Sequence, residues 1–115
     1  MRVFVYGTLK RGQCRARFLT GQQFLGEGRT APNYRMVNCG EYPGLIDSSN
    51  GLAIEGEVWE VDQPCLAELD REECLDVGLY ARRQIQLQAP HNQGEIEAYF
   101  YLGDVRGLPD CGSCW

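Results

Sequence analysis

Apolar residues in this chain fall in short runs, and their period changes to a helical one only once. Val3-Phe4-Val5 is an unbroken β-forming run that stops at Tyr6-Gly7-Thr8-Leu9. Such a run predicts a strand buried on both faces. Gly7 permits backbone angles closed to other residues, so the strand should end in a turn with bare N–H groups. Residues 14–19 read as a short helix stopped before Gly21, and residues 24–30 as a strand weakened by Gly26 and Gly28. Residues 34–37 read as another strand. Pro43-Gly44 predicts a turn over residues 41–45, and Asn50-Gly51 a tight hairpin. Residues 53–61 are a strand with Ile54 and Val58 on one face and Glu55, Glu57 and Trp59 on the other.

At Asp62 the pattern turns helical. Asp62 reads as an N-cap, Pro64 is tolerated in the first turn, and Leu66 and Leu69 make a narrow stripe ending near Glu73. Residues 79–87 return to strand, Gln93-Gly94 closes a hairpin, and residues 95–102 alternate. Ile96, Ala98, Phe100 and Leu102 are expected inward, and Glu95, Glu97, Tyr99 and Tyr101 outward. After Gly103 the tail reads as loop. The sum predicts an α+β fold, a small mixed, mostly antiparallel β-barrel with one main helix, because curling removes exposed strand edges.

The chain has 115 residues, 43% hydrophobic and 23% charged, with a net charge of −5. That size predicts one domain over residues 1–115, with a core hiding about two thirds of the surface. The acidic balance argues against nucleic acid and against anionic membranes. No run approaches the ~20 apolar residues of a membrane span, and the first run is too short for an export signal. The expected location is the cytoplasm. The six cysteines, Cys14, Cys39, Cys65, Cys74, Cys111 and Cys114, are therefore expected mostly as reduced thiols.

Leu69-Asp70-Arg71-Glu72-Glu73 sits where the helix should end. The helix dipole is negative there and disfavours a carboxylate, and burial adds to the effect. A glutamate so tuned can act as a general base; the same pattern also fits two solvated acids. Cys111-Gly112-Ser113-Cys114 has the spacing of a redox pair or half a zinc site. It precedes only Trp115, however, and Cys39, Cys65, Cys74 and His91 offer no matching second pair. His91, the only histidine, reads as a solvated turn residue, Glu55 and Glu57 as solvated strand acids, and Lys10 and Arg11 as a basic turn. Tyr42 edges the site if its loop folds over the Tyr6 turn. Tyr80 can orient a carboxylate, and Arg82 is expected to pair with a neighbouring acid.

Four segments together resemble the γ-glutamylcyclotransferase-like family, which includes γ-glutamylamine cyclotransferases and AIG2-like proteins. They are Val5-Tyr6-Gly7-Thr8-Leu9-Lys10-Arg11-Gly12, Tyr42-Pro43-Gly44-Leu45, Glu55-Gly56-Glu57-Val58-Trp59-Glu60-Val61-Asp62, and Leu69-Asp70-x-x-Glu73 with Tyr80-x-Arg82. The resemblance implies Glu73 as catalytic acid/base and Tyr6, Gly7, Thr8 and Leu9 as the substrate-binding loop. It also implies cyclisation of a γ-glutamyl amide to 5-oxoproline, with a small-molecule substrate and no metal or organic cofactor. The chain departs from the family by carrying Glu72 where an aromatic is usual; the family spacing from Leu69-Asp70 puts the acid at Glu73. Two other readings stand beside this one: a non-catalytic small-ligand-binding module that uses the Tyr6–Leu9 loop, and a redox or metal module built on Cys111 and Cys114.

Overall fold

The structure is a computed structural model that describes residues 1–73 and 78–115; Cys74 lies outside the described residues. The strands are β1 (Arg2–Val5), β2 (Gln23–Arg29), β3 (Tyr34–Asn38), β4 (Pro43–Asp47), β5 (Glu55–Glu60), β6 (Tyr80–Gln84) and β7 (Glu97–Tyr101). The main helix, α1, spans Gln63–Glu72, and a single 3₁₀ turn covers Ala16–Leu19. The strands form one mixed sheet in the order β2-β5-β1-β7-β4-β3, with β6 also paired to β7. The sheet curls into a half-barrel with one main helix. Among the described residues no helix is long and apolar enough to cross a membrane.

Both faces of the sheet are covered. Phe4, Val58, Ile96, Ala98 and Phe100 pack with Met36 and Leu45 on one face. Val3, Val5, Trp59 and Tyr99 pack on the other, against Leu66 and Leu69 of α1 and Leu19 of the 3₁₀ turn. This explains the unbroken apolar run of β1, whose neighbouring side chains enter different cores. It also corrects the expectation that Tyr99 and Tyr101 face outward. Tyr99 is buried and Tyr101 packs against the second core, because α1 covers the face that a one-sided sheet would leave to water. Leu102, expected inward, is exposed, since β7 ends at Tyr101.

Asp62 caps α1 by accepting the Cys65 N–H at 2.9 Å, with Pro64 in the first turn. Other local signals resolve differently. Pro43-Gly44 is not a turn but the start of β4. The turn precedes it and is closed by the Cys39 N–H donating to Tyr42 O. A strand's first residue can be proline because its missing N–H costs the ladder nothing there. Asn50-Gly51 makes a turn but no hairpin, since β4 and β5 are not neighbours in the sheet. Gly51 instead lies against the Tyr34 backbone, where a Cβ would collide. Gln93-Gly94 does not close a tight hairpin either; residues 85–96 connect β6 to β7. The tail is more than loop. Cys111 N–H donates to Met36 O and Glu55 N–H to Ser113 O, so the tail ties β3 to the start of β5.

Position 7 has no room for a side chain. A Cβ on Gly7 would sit 2.6 Å from Pro43 Cγ, in a ring that cannot swing aside. Gly7→Ala is expected to lower stability by about 1–3 kcal/mol through this overlap, read as an earlier urea midpoint with an unchanged slope.

Candidate functional site

The site arises from one edge of β7. Along its other edge β7 pairs with β6 over its whole length. On this edge β1 pairs in parallel at Val3↔Glu97, and β4 pairs in parallel at Leu45↔Phe100. One edge thus serves two strands, and β1 must leave it where β4 arrives. A crevice lies between the carboxyl end of β1 and the amino end of β4. Here the crevice is a cavity of about 200 Å³ whose walls include Tyr6, Gly7, Thr8 and Leu9. Gly7 lies directly against Pro43, the first residue of β4.

The turn is held from behind. Gly7 O accepts from Lys10 N–H, and Thr8 O from Arg15 N–H at 2.8 Å. The N–H groups of Thr8 and Leu9 make no hydrogen bond among the described residues. Farther along, Arg11 gives its backbone N–H and its Nε to the two oxygens of Glu57, both at 3.0 Å. Its guanidinium lies 3.8 Å over the Phe24 ring. Trp59 Nε1 is a third donor to Glu57. Glu57 is therefore not a solvated strand acid; it is buried and fastens the turn to β5, whereas Glu55 is exposed. Arg11 is correspondingly an anchored residue rather than part of a free basic turn.

Opposite the turn, α1 ends at Glu73, whose N–H donates to Leu69 O at 2.9 Å. Glu73 lines the same cavity as Gly7. Burial pushes its carboxyl from an ordinary 4.5 to about 7; Arg15 pulls it down and Glu72 pushes it up. The helix end is fixed to the sheet by Asp70, which accepts from Tyr99 Oη at 2.7 Å and from Arg82 Nη1 at 3.2 Å. Arg82 also pairs with Glu97 at 3.1 Å. The Leu69-Asp70 step of the sequence motif is thus half packing, with Leu69 fully buried, and half anchoring.

Four tyrosines, with Glu72 beside Glu73, line more of the walls. Tyr6 Oη donates to Tyr99 O at 2.5 Å, and Tyr80 Oη to Pro43 O at 2.9 Å. Burial raises the hydroxyls of Tyr6, Tyr80 and Tyr99 above their usual value, and the Glu73 charge pushes each further. They remain neutral phenols across physiological pH, while Glu73 titrates near neutrality. Tyr80 is held by the backbone rather than offered to a carboxylate. Tyr42 does reach the cavity, with its ring 6.2 Å from that of Tyr80.

Arg15 also lines the cavity, and nothing in its polar stretch of sequence marks it. It owes its place to its N–H bond to Thr8 O. His91 is half-buried, not solvated, and packs across Gly26 and Gly28 of β2, where any larger residue would press on its ring. Cys111 docks on β3, while exposed Cys114 lies 3.8 Å from Lys10 Nζ. Among the described residues no group of histidine, cysteine and acidic side chains is arranged to hold a metal ion.

The chain is similar to known proteins over nearly its whole length. The family model described as "Gamma-glutamyl cyclotransferase, AIG2-like" matches residues 3–113. The chain is 39% identical over 108 residues to the γ-glutamylcyclotransferase family protein YtfP of Escherichia coli K12, covering 94% of this chain and 88% of that protein. It is 40% identical over 117 residues to γ-glutamylaminecyclotransferase A of Danio rerio, covering 94% and 71%. Among solved structures, a mouse AIG2-like protein superposes with a TM-score of 0.80 at 30% identity, over 97% of this chain and 86% of that one. The solution structure of E. coli ytfP does so at 0.77 and 35%, over 100% and 96%. With the family model spanning nearly its whole length and relatives at this level of identity, the chain belongs to the AIG2-like γ-glutamylcyclotransferase family.

Proposed function

We propose that this protein cyclises a γ-glutamyl amide to 5-oxoproline and releases the attached amine or amino acid, with Glu73 as the general acid/base. One observation carries the reading: a carboxyl pushed up to about 7 lines the same small cavity as a glycine turn whose Thr8 and Leu9 N–H groups make no hydrogen bond among the described residues. The family membership and the name of the zebrafish relative support the same chemistry.

The substrate brings its own nucleophile, so the protein has to fold it, move protons and stabilise charge. The α-ammonium gives a proton to Glu73. The freed amine attacks the γ-carbonyl carbon, and negative charge grows on the carbonyl oxygen beside the Thr8 and Leu9 N–H groups. One such preorganised donor is typically worth about 3 kcal/mol. Glu73 returns the proton to the leaving nitrogen as its C–N bond breaks. A second proton passes from the ring nitrogen by the same carboxylate to the released amine. A pKa near 7 suits a group that must both accept and donate at neutral pH.

Glu73→Gln is expected to leave the fold intact and to lower 5-oxoproline release by about 10²–10⁴-fold, measured by mass spectrometry across a panel of γ-glutamyl compounds. Glu72→Gln is the control and should retain most of the activity. Unchanged turnover in Glu73→Gln rules the assignment out, and calorimetric binding without product in the wild type indicates a binding module instead.

The acid must be ionised to begin, so kcat/KM in the wild type should rise with pH through an apparent pKa of about 7. The same group leaves a mark on stability. A carboxyl with a folded pKa of about 7 and an ordinary value of 4.5 holds its proton more tightly when folded. Folding is therefore penalised progressively as pH rises between those values, and fully above 7. Relative to the wild type, Glu73→Gln should be more stable by about 2 kcal/mol at pH 8 and by nearly nothing at pH 4. Thermal melts at the two pH values test this without any substrate.

A further inference from the structure

We infer that Arg15 reads the α-carboxylate of the substrate and so restricts the enzyme to γ-glutamyl groups with a free α-amino acid head. The inference rests on the function proposed above and adds a role for a side chain that none of the shared motifs contains.

Among the described residues, Arg15 is the only cationic side chain lining the cavity. The other cations nearby are engaged. Lys10 donates to Trp115 O, Arg11 is held by Glu57, and Arg82 lies between Asp70 and Glu97. The Arg15 guanidinium makes no ion pair or hydrogen bond among the described residues, Glu73 included. It is nevertheless near enough for its charge to act on Glu73. An anchored backbone and an uncommitted guanidinium, with a carboxylate nearby but out of contact, leave room for a ligand between the two charges.

The head of a γ-glutamyl compound is a zwitterion. Its ammonium must reach Glu73 to lose a proton, so its carboxylate, one carbon away, needs a counter-charge beside Glu73. Arg15 supplies one, with a planar fork matched to two carboxylate oxygens. The turn N–H groups are then left for the γ-carbonyl oxygen. The two anions of the reaction, one permanent and one transient, fall to different donors.

The test compares a γ-glutamyl amide with its analogue in which the α-carboxylate is a carboxamide and the leaving group is the same. The wild type should prefer the carboxylate by at least about 10²-fold in kcat/KM. In Arg15→Gln that preference should fall to within about threefold, through loss on the carboxylate substrate and mainly in KM. Arg15→Lys should restore part of it. A preference that persists in Arg15→Gln overturns the inference. So does an equal loss on both substrates that is recovered at higher pH, which would mean that Arg15 acts only on the proton affinity of Glu73. A parallel binding titration with 5-oxoproline and its carboxamide separates the two proposals. Loss of discrimination on Arg15→Gln in binding supports the carboxylate role even if turnover is absent and the proposed reaction is wrong; unchanged discrimination in binding sinks it while leaving the reaction standing. A matching thermal melt excludes misfolding of the variant.

Discussion

The architecture depends on the shared edge of β7. A strand edge has one row of hydrogen-bonding groups, and here β1 takes one end of it and β4 the other. Neither can run the full length, so the sheet opens between them. The opening is backed by a continuous ladder on the far side of β7, where β6 pairs along all five of its residues. The cavity thus opens where one row of the sheet is interrupted, and the turn residues Gly7, Thr8, Leu9 and Tyr42 complete its walls. The continuous ladder behind it suits the proposed intramolecular reaction, which needs a short flexible chain held folded on itself.

The second constraint is electrostatic. Placing Glu73 in the wall of this opening costs stability, because a carboxylate there loses water and gains little in return. The structure concentrates compensation close by: a buried leucine and the Asp70 anchor one turn back along α1, and the Tyr99 and Arg82 hydroxyl and guanidinium that hold Asp70. Burial keeps Tyr6, Tyr80 and Tyr99 protonated, so they bring bulk and dipoles without ionising. Several groups poised near neutrality would instead spread the charge among competing states.

What the sequence revealed and what it hid divide along a physical line. Local chemistry was legible: the Asp62 cap, the Pro64 start, the apolar run of β1 and the acid at the end of α1 each follow from a few neighbouring residues. Glu73 and the Tyr6–Leu9 turn could be named on motif spacing, although the shared β7 edge that brings them to one cavity has no local signature. Burial set by distant elements was hidden. Tyr99 and Tyr101 alternate as solvent-facing residues should, and only the helix packed over them reverses that. Glu57 looks like any strand acid until the chain returns Arg11 to it, 46 residues away in sequence. Pro43-Gly44 carries a turn signature yet begins a strand, because its carbonyl and its lack of side-chain bulk are required by Tyr80 and Tyr101 on other strands.

The turn between Tyr6 and Gly12 shows how these scales combine. Its first half is bare: Gly7 has no room for a Cβ beside Pro43, and the N–H groups of Thr8 and Leu9 make no hydrogen bond among the described residues. A turn with so few bonds of its own would fray if nothing else held it. Its second half therefore carries the anchors: the Thr8 carbonyl fixed by Arg15, the Arg11 backbone and side chain fixed by a buried acid, and the guanidinium seated on an aromatic ring. The basic residues that follow the glycine signature are thus best understood as structural. Their charges are consumed within the protein, which leaves the cavity's positive potential to the one arginine whose head group is not tied down among the described residues. On the proposed reading, loop geometry and substrate selection fall to different cations, and a change in one need not disturb the other.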